Sequence, residues 1–230
     1  MTVAAVILAV SLETALADAA GVPRVRRIAD AAWSGGALPM IVVAPDTDGT
    51  AGAALNGAPV TLVTPAPMEH GPVAHIVRGM EFAADEVSGT SAALIWPARL
   101  CWVGPETVTS LIEAHGIHPE ALLRPSFRGE TGWPALVPMD ALAQLRVLSS
   151  KATPEELLGL LVAGGALAVR TIDLGDPGSV IDGSTAREEL PPYDGPAEPA
   201  GTHEWGAAMA SVSDEAPLAG PTRADTPAGS

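Results

Sequence analysis

Short, continuous apolar runs alternate along the chain with longer stretches of helical hydrophobic period. The apolar runs predict strands that are buried on both faces, at residues 3–10, 39–44, 60–63, 92–96 and 167–172. The amphipathic stretches between them predict helices near residues 23–34, 72–87, 105–115, 139–148 and 154–163. Strands of this type, separated by helical lengths, indicate a parallel sheet that carries helices on both faces.

Local signals mark two helix starts and one interruption of the pattern. Pro105 and Glu106 place a proline ring and a carboxylate in a first helical turn, and Thr153 precedes a proline as an N-cap. The segment 121–138 has a different pattern, with a glycine-containing turn at 129–132 between two extended pieces. We therefore expect a hairpin inserted in the α/β pattern.

The first twenty residues imitate a secretion signal. Residues 3–12 are apolar, and the small residues before Asp18 resemble a cleavage site. However, no Lys or Arg precedes the apolar stretch, and Glu13 follows it before the supposed cut. A first buried strand is therefore the favoured interpretation. No other apolar run approaches the roughly twenty residues that a membrane helix needs.

Composition and charge narrow the function classes. Apolar residues make up 47% of the 230 residues, which is enough for a sizeable domain core. The formal net charge of −15 opposes binding to nucleic acid and to anionic membrane surfaces. Cys101 is the single cysteine, which excludes an internal disulfide and a thiolate metal cluster. We therefore expect a cytoplasmic protein whose partners are neither nucleic acids nor membranes.

Composition changes at residue 191. Residues 191–230 are rich in Pro, Gly, Ala and Ser and in acidic side chains, without a sustained period. They predict a disordered acidic tail after a domain that spans residues 1–190. Within the tail, Trp205 and Met209 lie four residues apart in the patch 203–210. This patch either docks as one helical turn or stays exposed.

The junction after the first strand lacks a phosphate cradle. In α/β proteins, backbone N–H groups, glycines and a helix N-terminus at this place bind phosphate. Here Glu13 and Asp18 occupy the interval, no Lys or Arg precedes Arg24, and no glycine precedes Gly21. Two carboxylates repel a triphosphate, so these residues argue against nucleotide chemistry on a scaffold that suggests it.

Five segments occur in the order typical of one family. A Gly-x-Pro turn with a helix and a strand lies at residues 21–45, and a Gly-Pro loop with its helix lies at 69–80. A strand that leads to a Pro-Glu-Thr helix start lies at 94–112, and a hairpin lies at 124–138. A closing strand with an Asp motif lies at 176–196. Together they resemble the MobA-like NTP transferases, which include molybdenum-cofactor nucleotidyltransferases. The resemblance implies a three-layer, Rossmann-like nucleotide-diphospho-sugar transferase fold with an inserted β-hairpin. It also implies transfer of a nucleoside monophosphate from an NTP to an acceptor, with release of pyrophosphate.

The functional positions depart from the pattern of this family. The family's opening motif, L-A-x-G-x-S-x-R-M-G-x-x-K, has no counterpart between Leu8 and Gly21. Its metal-binding aspartate aligns with Arg99, which cannot ligate a metal ion. In the closing motif Asp182 matches, whereas the second oxygen-ligand position is Ser184. We expect Arg99 either to hold an anion without metal or to pair with Asp182 across the former metal site.

The resemblance assigns the candidate site residues. The candidates for nucleotide binding are Ser11, Gly71, Pro72, Gly79 and Arg99. Asp182 is the candidate metal ligand, and no catalytic residue is predicted. No cofactor is expected, and Mg²⁺ is expected only for an active enzyme.

Three arginines and the cysteine have functional and simpler interpretations. Arg24, Arg26 and Arg27 form the densest positive charge, which either receives an anion or is the solvated face of a first helix. Cys101 follows a strand, and without an identified base a structural thiol is favoured.

The histidines are equally open to interpretation. His115 and His118 have a ligand-like spacing, but a helix C-terminal cap is favoured because no acidic or thiol companion is nearby. His70 and His75 flank the Gly-Pro loop, where they either touch a base or are exposed.

These observations leave three functions open. The favoured one is a catalytically degenerate family member that acts as a binding or accessory protein. The second is an active nucleotidyltransferase in which Arg99 and Arg24 replace the metal ion and the lysine of the family's opening motif. The third is a small-molecule binding module that uses the cleft for an anion. The expected partners are a nucleotide or small anionic ligand, and a protein.

Overall fold

A computed structural model of the chain describes residues 2–148, 152–165, 167–195 and 222–223. The strands are β1 Thr2–Leu8, β2 Asp18–Ala19, β3 Val22–Pro23, β4 Met40–Val43, β5 Thr61–Val63, β6 Thr90–Pro97, β7 Leu122–Phe127, β8 Glu130–Thr131, β9 Ala135–Pro138, β10 Val169–Asp173 and β11 Thr222–Arg223. The α-helices are α1 Leu12–Leu16, α2 Arg24–Ser34, α3 Thr50–Ala54, α4 Gly71–Glu86, α5 Pro105–Ile117, α6 Leu142–Leu145 and α7 Pro154–Ala163. Short 3₁₀ turns occupy Met68–His70, Met139–Ala141, Pro177–Ser179 and Arg187–Glu189.

One large sheet organises the molecule. Its strand order is β10-β7-β9-β6-β1-β4-β5-β11, and β8 pairs with β7. β1 lies inside the sheet and pairs in parallel with β4 and β6, so that Val6 stands opposite Ile41 and Ile95. β9 runs antiparallel to β6 and β7. The mostly parallel sheet brings the carboxyl ends of β1, β4, β5 and β6 to one edge.

Helices cover both faces of the sheet. On one face, α2 and α5 bring Ile28 and Leu111 against a cluster that includes Ile7 of β1. On the other face, α4 brings Met80 against a cluster that includes Val6. Successive residues of β1 therefore enter opposite cores, which is why this strand has a continuous apolar run instead of an alternating one. The three-layer α/β fold with a Rossmann-like sheet is confirmed.

The inserted hairpin is confirmed, and several predicted element bounds change. β7, β8 and β9 form the antiparallel unit predicted for 121–138. The single helix predicted for 139–148 is a 3₁₀ turn followed by the four-residue α6. The first strand ends at Leu8, two residues earlier than predicted, because a short helix follows at once.

The chain after β10 runs back across the carboxyl edge of the sheet. Backbone N–H groups of Trp133 and Gly183 donate to Ser179 O at 2.9 Å and Arg99 O at 2.7 Å, which anchors this segment to the hairpin and to the loop after β6. No helix in the described ranges is long and apolar enough to cross a bilayer.

Residues 191–195, which follow the predicted domain boundary at residue 190, contact the domain. Asp194 N donates to Gly175 O at 2.9 Å, and a side chain on Gly195 would overlap Leu174 O. β11 pairs in parallel with β5 and extends the sheet by two residues. The patch 203–210 lies outside the described residues.

Candidate functional site

The carboxyl edge of the sheet is where open α/β folds bind ligands. Ser11 follows β1 and Arg99 follows β6 at this edge. Gly71 and Pro72 begin α4 after the loop that leaves β5. Asp182 arrives on the segment that follows β10.

A packed helix stands where the phosphate loop of the family would be. Ser11 is the N-cap of α1, and its hydroxyl accepts a hydrogen bond from Thr14 N at 3.4 Å. Leu12 and Leu16 pack against the core beneath α2, and Ala15 is fully buried. The N–H group of Ala15 is used within the helix, donating to Ser11 O at 2.9 Å. This segment therefore presents a capped helical turn instead of a row of free donors.

The sequence analysis did not predict α1. A five-residue helix is too short for a hydrophobic period, but Ser11 as N-cap with Glu13 in the first turn is a start signal that was available. The cap also bears on the candidate role of Ser11, because its hydroxyl is already engaged with the backbone.

Arg99 and Asp182 form the centre of the candidate site. Arg99 Nη1 lies 3.6 Å from Asp182 Oδ2, and Arg24 Nη1 lies 3.9 Å from Asp182 Oδ1. Arg24 is mostly buried, and its Nε has no hydrogen-bond partner in the described part of the chain. One carboxylate thus stands between two guanidinium groups, and the region has an excess of positive charge.

The pKa of Asp182 reflects these neighbours. Partial burial alone raises the pKa of this carboxyl, but hydrogen bonds from Ser184 and the charges of two arginines together lower the pKa by more. Ser184 donates its backbone N–H to Asp182 Oδ1 at 2.9 Å, and the charges of Arg24 and Arg99 add to this. The pKa of Asp182 therefore lies below its usual value, and the group is a carboxylate at neutral pH.

The segment after β10 brings Asp182 to Arg99. The strand β10 itself lies at the far side of the sheet from β6. The hydrogen bond from Gly183 N to Arg99 O holds the segment at the loop after β6, so the pairing of Arg99 with Asp182 occurs as one of the two expected arrangements. The pair is exposed, with 53% of the Arg99 side chain and 38% of the Asp182 side chain accessible.

The residues present do not fit a divalent metal ion. Mg²⁺ and Mn²⁺ require several oxygen ligands, of which Asp182 is the one carboxylate at this point. Two guanidinium groups at 3.6 and 3.9 Å from that carboxylate oppose a further positive charge. Across the described ranges no group of three or more His, Cys, Asp or Glu side chains is arranged so that it could hold a metal ion.

Gly71 and Gly79 have different roles on α4. Gly71 has a φ of 70° at the junction of a 3₁₀ turn with α4, a conformation that favours glycine. Pro72 follows in the first helical turn, so both residues lie at the carboxyl edge. Gly79 is buried in the contact between α4 and the sheet, and a Cβ there would overlap Val6 Cγ1. Its contacts are packing contacts with the sheet, and its candidate role in nucleotide binding stays a prediction.

The hairpin contains a buried cation that the sequence analysis missed. Arg124 is 5% exposed, and its Nε donates to Gly132 O at 2.7 Å. Its Nη1 pairs with Glu155 Oε1 at 2.8 Å, and its guanidinium lies over the Trp133 ring at 4.7 Å from the centroid. An arginine inside a strand next to a Gly-Trp-Pro turn gave no periodic signal. These contacts make Arg124 the anchor of the hairpin.

The arginine trio does not act as one patch. Arg24 turns to Asp182, whereas Arg26 pairs with Asp30 at 2.8 Å on its own helix. Arg27 donates to Ala19 O and lies 5.1 Å from the Trp102 ring centroid. Each arginine of α2 thus has a separate environment.

Two of the histidines and the cysteine are core residues. His118 is the C-cap residue of α5, as predicted, and His115 lies in the last turn of that helix. His115 is fully buried and hydrogen-bonded to Ser91 Oγ at 3.0 Å. His75 is 4% exposed on α4, which contradicts an exposed position. Burial lowers the pKa of His75 and His115 and raises the pKa of the Cys101 thiol. Cys101 is therefore a weak nucleophile, in agreement with a structural role.

Comparison with known proteins agrees with the fold. A nucleotidyl transferase from Methanothermobacter thermautotroptrophicus is 21% identical, with a TM-score of 0.57 over 73% of this chain and 87% of that chain. The Mycobacterium tuberculosis protein Rv0371c in complex with manganese is 16% identical, with a TM-score of 0.56 over 75% and 89%. A CMP:2-keto-3-deoxy-manno-octonic acid synthetase complexed with CTP is 13% identical, with a TM-score of 0.55 over 76% and 90%. No curated protein matches the sequence significantly.

The fold is thus one that nucleotidyltransferases share. The family model of the MobA-like NTP transferase domain matches residues 13–165, which is more than half of the chain. This chain belongs to the MobA-like NTP transferase family.

Proposed function

We propose that this chain is a catalytically degenerate member of its family, which binds a small anionic ligand at the carboxyl edge and acts as a binding or accessory protein. The observation that carries the proposal is the ion pair of Arg99 with Asp182, where the family aligns a metal-binding aspartate. A guanidinium there opposes the cation that nucleotidyl transfer normally uses to neutralise the phosphates.

The replacement of the phosphate loop supports the same conclusion. Transfer of a nucleoside monophosphate requires the triphosphate to be held in line with the attacking group. In this chain Thr14 N donates to Ser11 Oγ, Ala15 N donates to Ser11 O, and Glu13 lies in the first turn of α1. These features, together with Arg99 beside Asp182, oppose a phosphate cradle and a metal site like those of the family.

The remaining features of the edge favour an anion. Arg99 is half exposed, so its guanidinium keeps donors accessible beside Asp182. Arg24 adds a second, mostly buried positive charge. Gly71 and Pro72 keep the start of α4 at this edge. An anionic small molecule, including a nucleotide bound without metal, is the ligand class that these charges suit.

Calorimetric titration with CTP and GTP, in Mg²⁺ and in EDTA, tests the proposal. We expect any binding to be independent of Mg²⁺ and to weaken in Arg99→Ala. Arg146→Ala is the matched control, because Arg146 is equally exposed at 53% and also pairs with a carboxylate, that of Glu81. Binding that requires Mg²⁺ would contradict the proposal.

A pyrophosphate-release assay separates this proposal from an active enzyme. We expect no release from CTP, GTP or ATP with a panel of hydroxylated and phosphorylated acceptors. Release that is lost in Arg99→Ala and kept in Arg146→Ala would show instead that the arginine replaces the metal ion.

A further inference from the structure

A cavity lies on the α2 and α5 face of the molecule. It has a volume of about 630 Å³ and is bounded by α2, the loop from β6 to α5, and the segment after β10. Its lining includes Arg27, Trp102, Arg187 and Tyr193 and none of Ser11, Gly71, Pro72, Arg99 and Asp182. The cavity is therefore distinct from the carboxyl-edge site, and its volume is that of small-molecule pockets.

The walls of this cavity combine aromatic and aliphatic side chains with polar and charged ones. Trp102 and Tyr193 contribute rings, and the aliphatic lining comes from Val22, Ala31, Val103, Pro177, Leu190 and Pro191. The Trp102 indole is held in place, because its Nε1 donates to Thr185 O at 3.0 Å and Arg27 lies against its ring. A fixed ring with proline and leucine beside it suits a flat, apolar ligand body.

Two guanidinium groups in the lining have unused donors. Arg27 donates through Nε and Nη2 to Ala19 O at 3.1 and 2.7 Å, which holds it rigidly. Its Nη1 has no partner in the described ranges. Arg187 is exposed at the rim and forms neither an ion pair nor a side-chain hydrogen bond within those ranges. One arginine held by two hydrogen bonds and one exposed arginine thus face the same cavity.

The carboxylates of the lining are engaged with the protein. Asp176 accepts hydrogen bonds at both oxygens, from Gly104 N and Thr107 Oγ1 on one and Gly178 N on the other. Asp30 pairs with Arg26, which stands outside the lining. The carboxylate of Glu106 lies against Gly104, at the position that a Cβ atom on Gly104 would occupy. The groups left for a ligand in the described lining are therefore the donors of Arg27 and Arg187, in a cavity that also holds three carboxylates.

We propose that this cavity binds a small aromatic anion, with its ring against Trp102 and Tyr193 and its acid group at Arg27 and Arg187. Arginine suits planar carboxylates because its donors form a fixed fork. The inference does not rest on the function proposed for the carboxyl edge.

The probe for the test is 1-anilinonaphthalene-8-sulfonate, an aromatic anion that fluoresces in apolar surroundings. We expect saturable binding of one probe to the full-length native chain. Arg187→Gln should raise the dissociation constant about tenfold, because it removes a charge-assisted contact. Ala31→Trp should abolish binding, because the new ring occupies the cavity from the surface of α2. Arg170→Gln, at an equally exposed arginine of β10, should bind as the native chain does.

Two further measurements keep the result specific. Arg99→Ala should leave probe binding unchanged, which separates this cavity from the carboxyl edge. Indole-3-acetate should displace the probe at much lower concentration than neutral indole. Unchanged binding in both Ala31→Trp and Arg187→Gln, with native circular dichroism, would overturn the proposal. Equal displacement by indole would overturn the requirement for an anion.

Discussion

The carboxylate of Asp176 accepts a hydrogen bond from the buried hydroxyl of Thr107 at 2.7 Å. The same oxygen accepts from Gly104 N at 2.9 Å, and the other oxygen accepts from Gly178 N at 2.8 Å. Asp176 is 3% exposed, and burial raises its pKa although these donors oppose the shift. One side chain thus ties the loop before α5 to the segment that carries Asp182.

Thr107→Val should destabilise the protein by about 1–3 kcal/mol, because it leaves a buried carboxylate oxygen with one donor fewer. Thr109→Val is the control on the same helix. Thr109 is only partly buried, and its hydroxyl bonds mainly to Pro105 O of its own helix. Urea unfolding followed by circular dichroism compares the two. Equal losses would show that Asp176 does not depend on Thr107.

Gly79→Ala should destabilise the protein by about 1–3 kcal/mol, because the added methyl group overlaps Val6 inside a packed core. Gly159→Ala tests the opposite case, since no atom lies within 4 Å of a Cβ at this exposed position of α7. It should stabilise the helix by about 0.5–1 kcal/mol. A neutral Gly79→Ala variant would show that α4 shifts freely on the sheet.

Arg99→Asp should cost less than about 1 kcal/mol without metal, because the pair with Asp182 is exposed. Combined with Ser184→Asp, it places three carboxylates at one point. Mn²⁺ should then raise the melting temperature of the double variant and leave the native chain unchanged. Arg146→Asp with Mn²⁺ is the control. Stabilisation of the native chain by Mn²⁺ would contradict the absence of a metal site.

Unfolding free energy should fall as the pH drops from 7.5 to 5. Burial holds the pKa of His115 below 6.5 in the folded chain, so the unfolded chain binds more protons in this range. Stability therefore rises with pH, by at most about 1.4 kcal/mol per pH unit for each such histidine. His115→Gln should show a shallower slope in urea unfolding series. An unchanged slope would show that His115 binds protons equally in the folded and unfolded chains, so that burial does not lower its pKa.

A chain that ends at Gly195 should keep nearly the full melting temperature. It loses the two-residue pairing of β11 with β5 and otherwise removes residues of low apolar content. A chain that ends at Leu190 should melt lower, because it removes the hydrogen bond from Asp194 N to Gly175 O and the Tyr193 wall. Scanning calorimetry compares both shortened chains with the full chain. Equal melting temperatures of the two shortened chains would support a domain boundary at residue 190.

The sheet was predictable because its strands are buried on both faces and leave unbroken apolar runs, as in β1 and β6. The antiparallel course of β9 was predictable from the glycines that turn the hairpin. The encounter of Arg99 and Asp182 was expected from the family pattern. Its exposure depends on the path of the segment after β10, which no local pattern encodes.

The site was less predictable where tertiary contacts decide a role. Gly79 resembled a ligand-facing glycine in sequence, but the packing of α4 on Val6 buries it. His115 lies near a helix end, yet the register of α5 turns it towards Ser91. In the sequence Arg27 was one member of a cluster of three arginines. It lines a cavity because the segment that ends near Tyr193 packs beside α2.

Helix α1 has a consequence for any attempt to engineer a phosphate loop into this chain. Because Leu12, Ala15 and Leu16 contact the core, a glycine or lysine introduced there singly removes packing before it creates a phosphate contact. Each single substitution of this kind is expected to lower the stability of the fold. A phosphate loop therefore has to be introduced by exchanging the whole interval from Ala9 to Gly21 in one step.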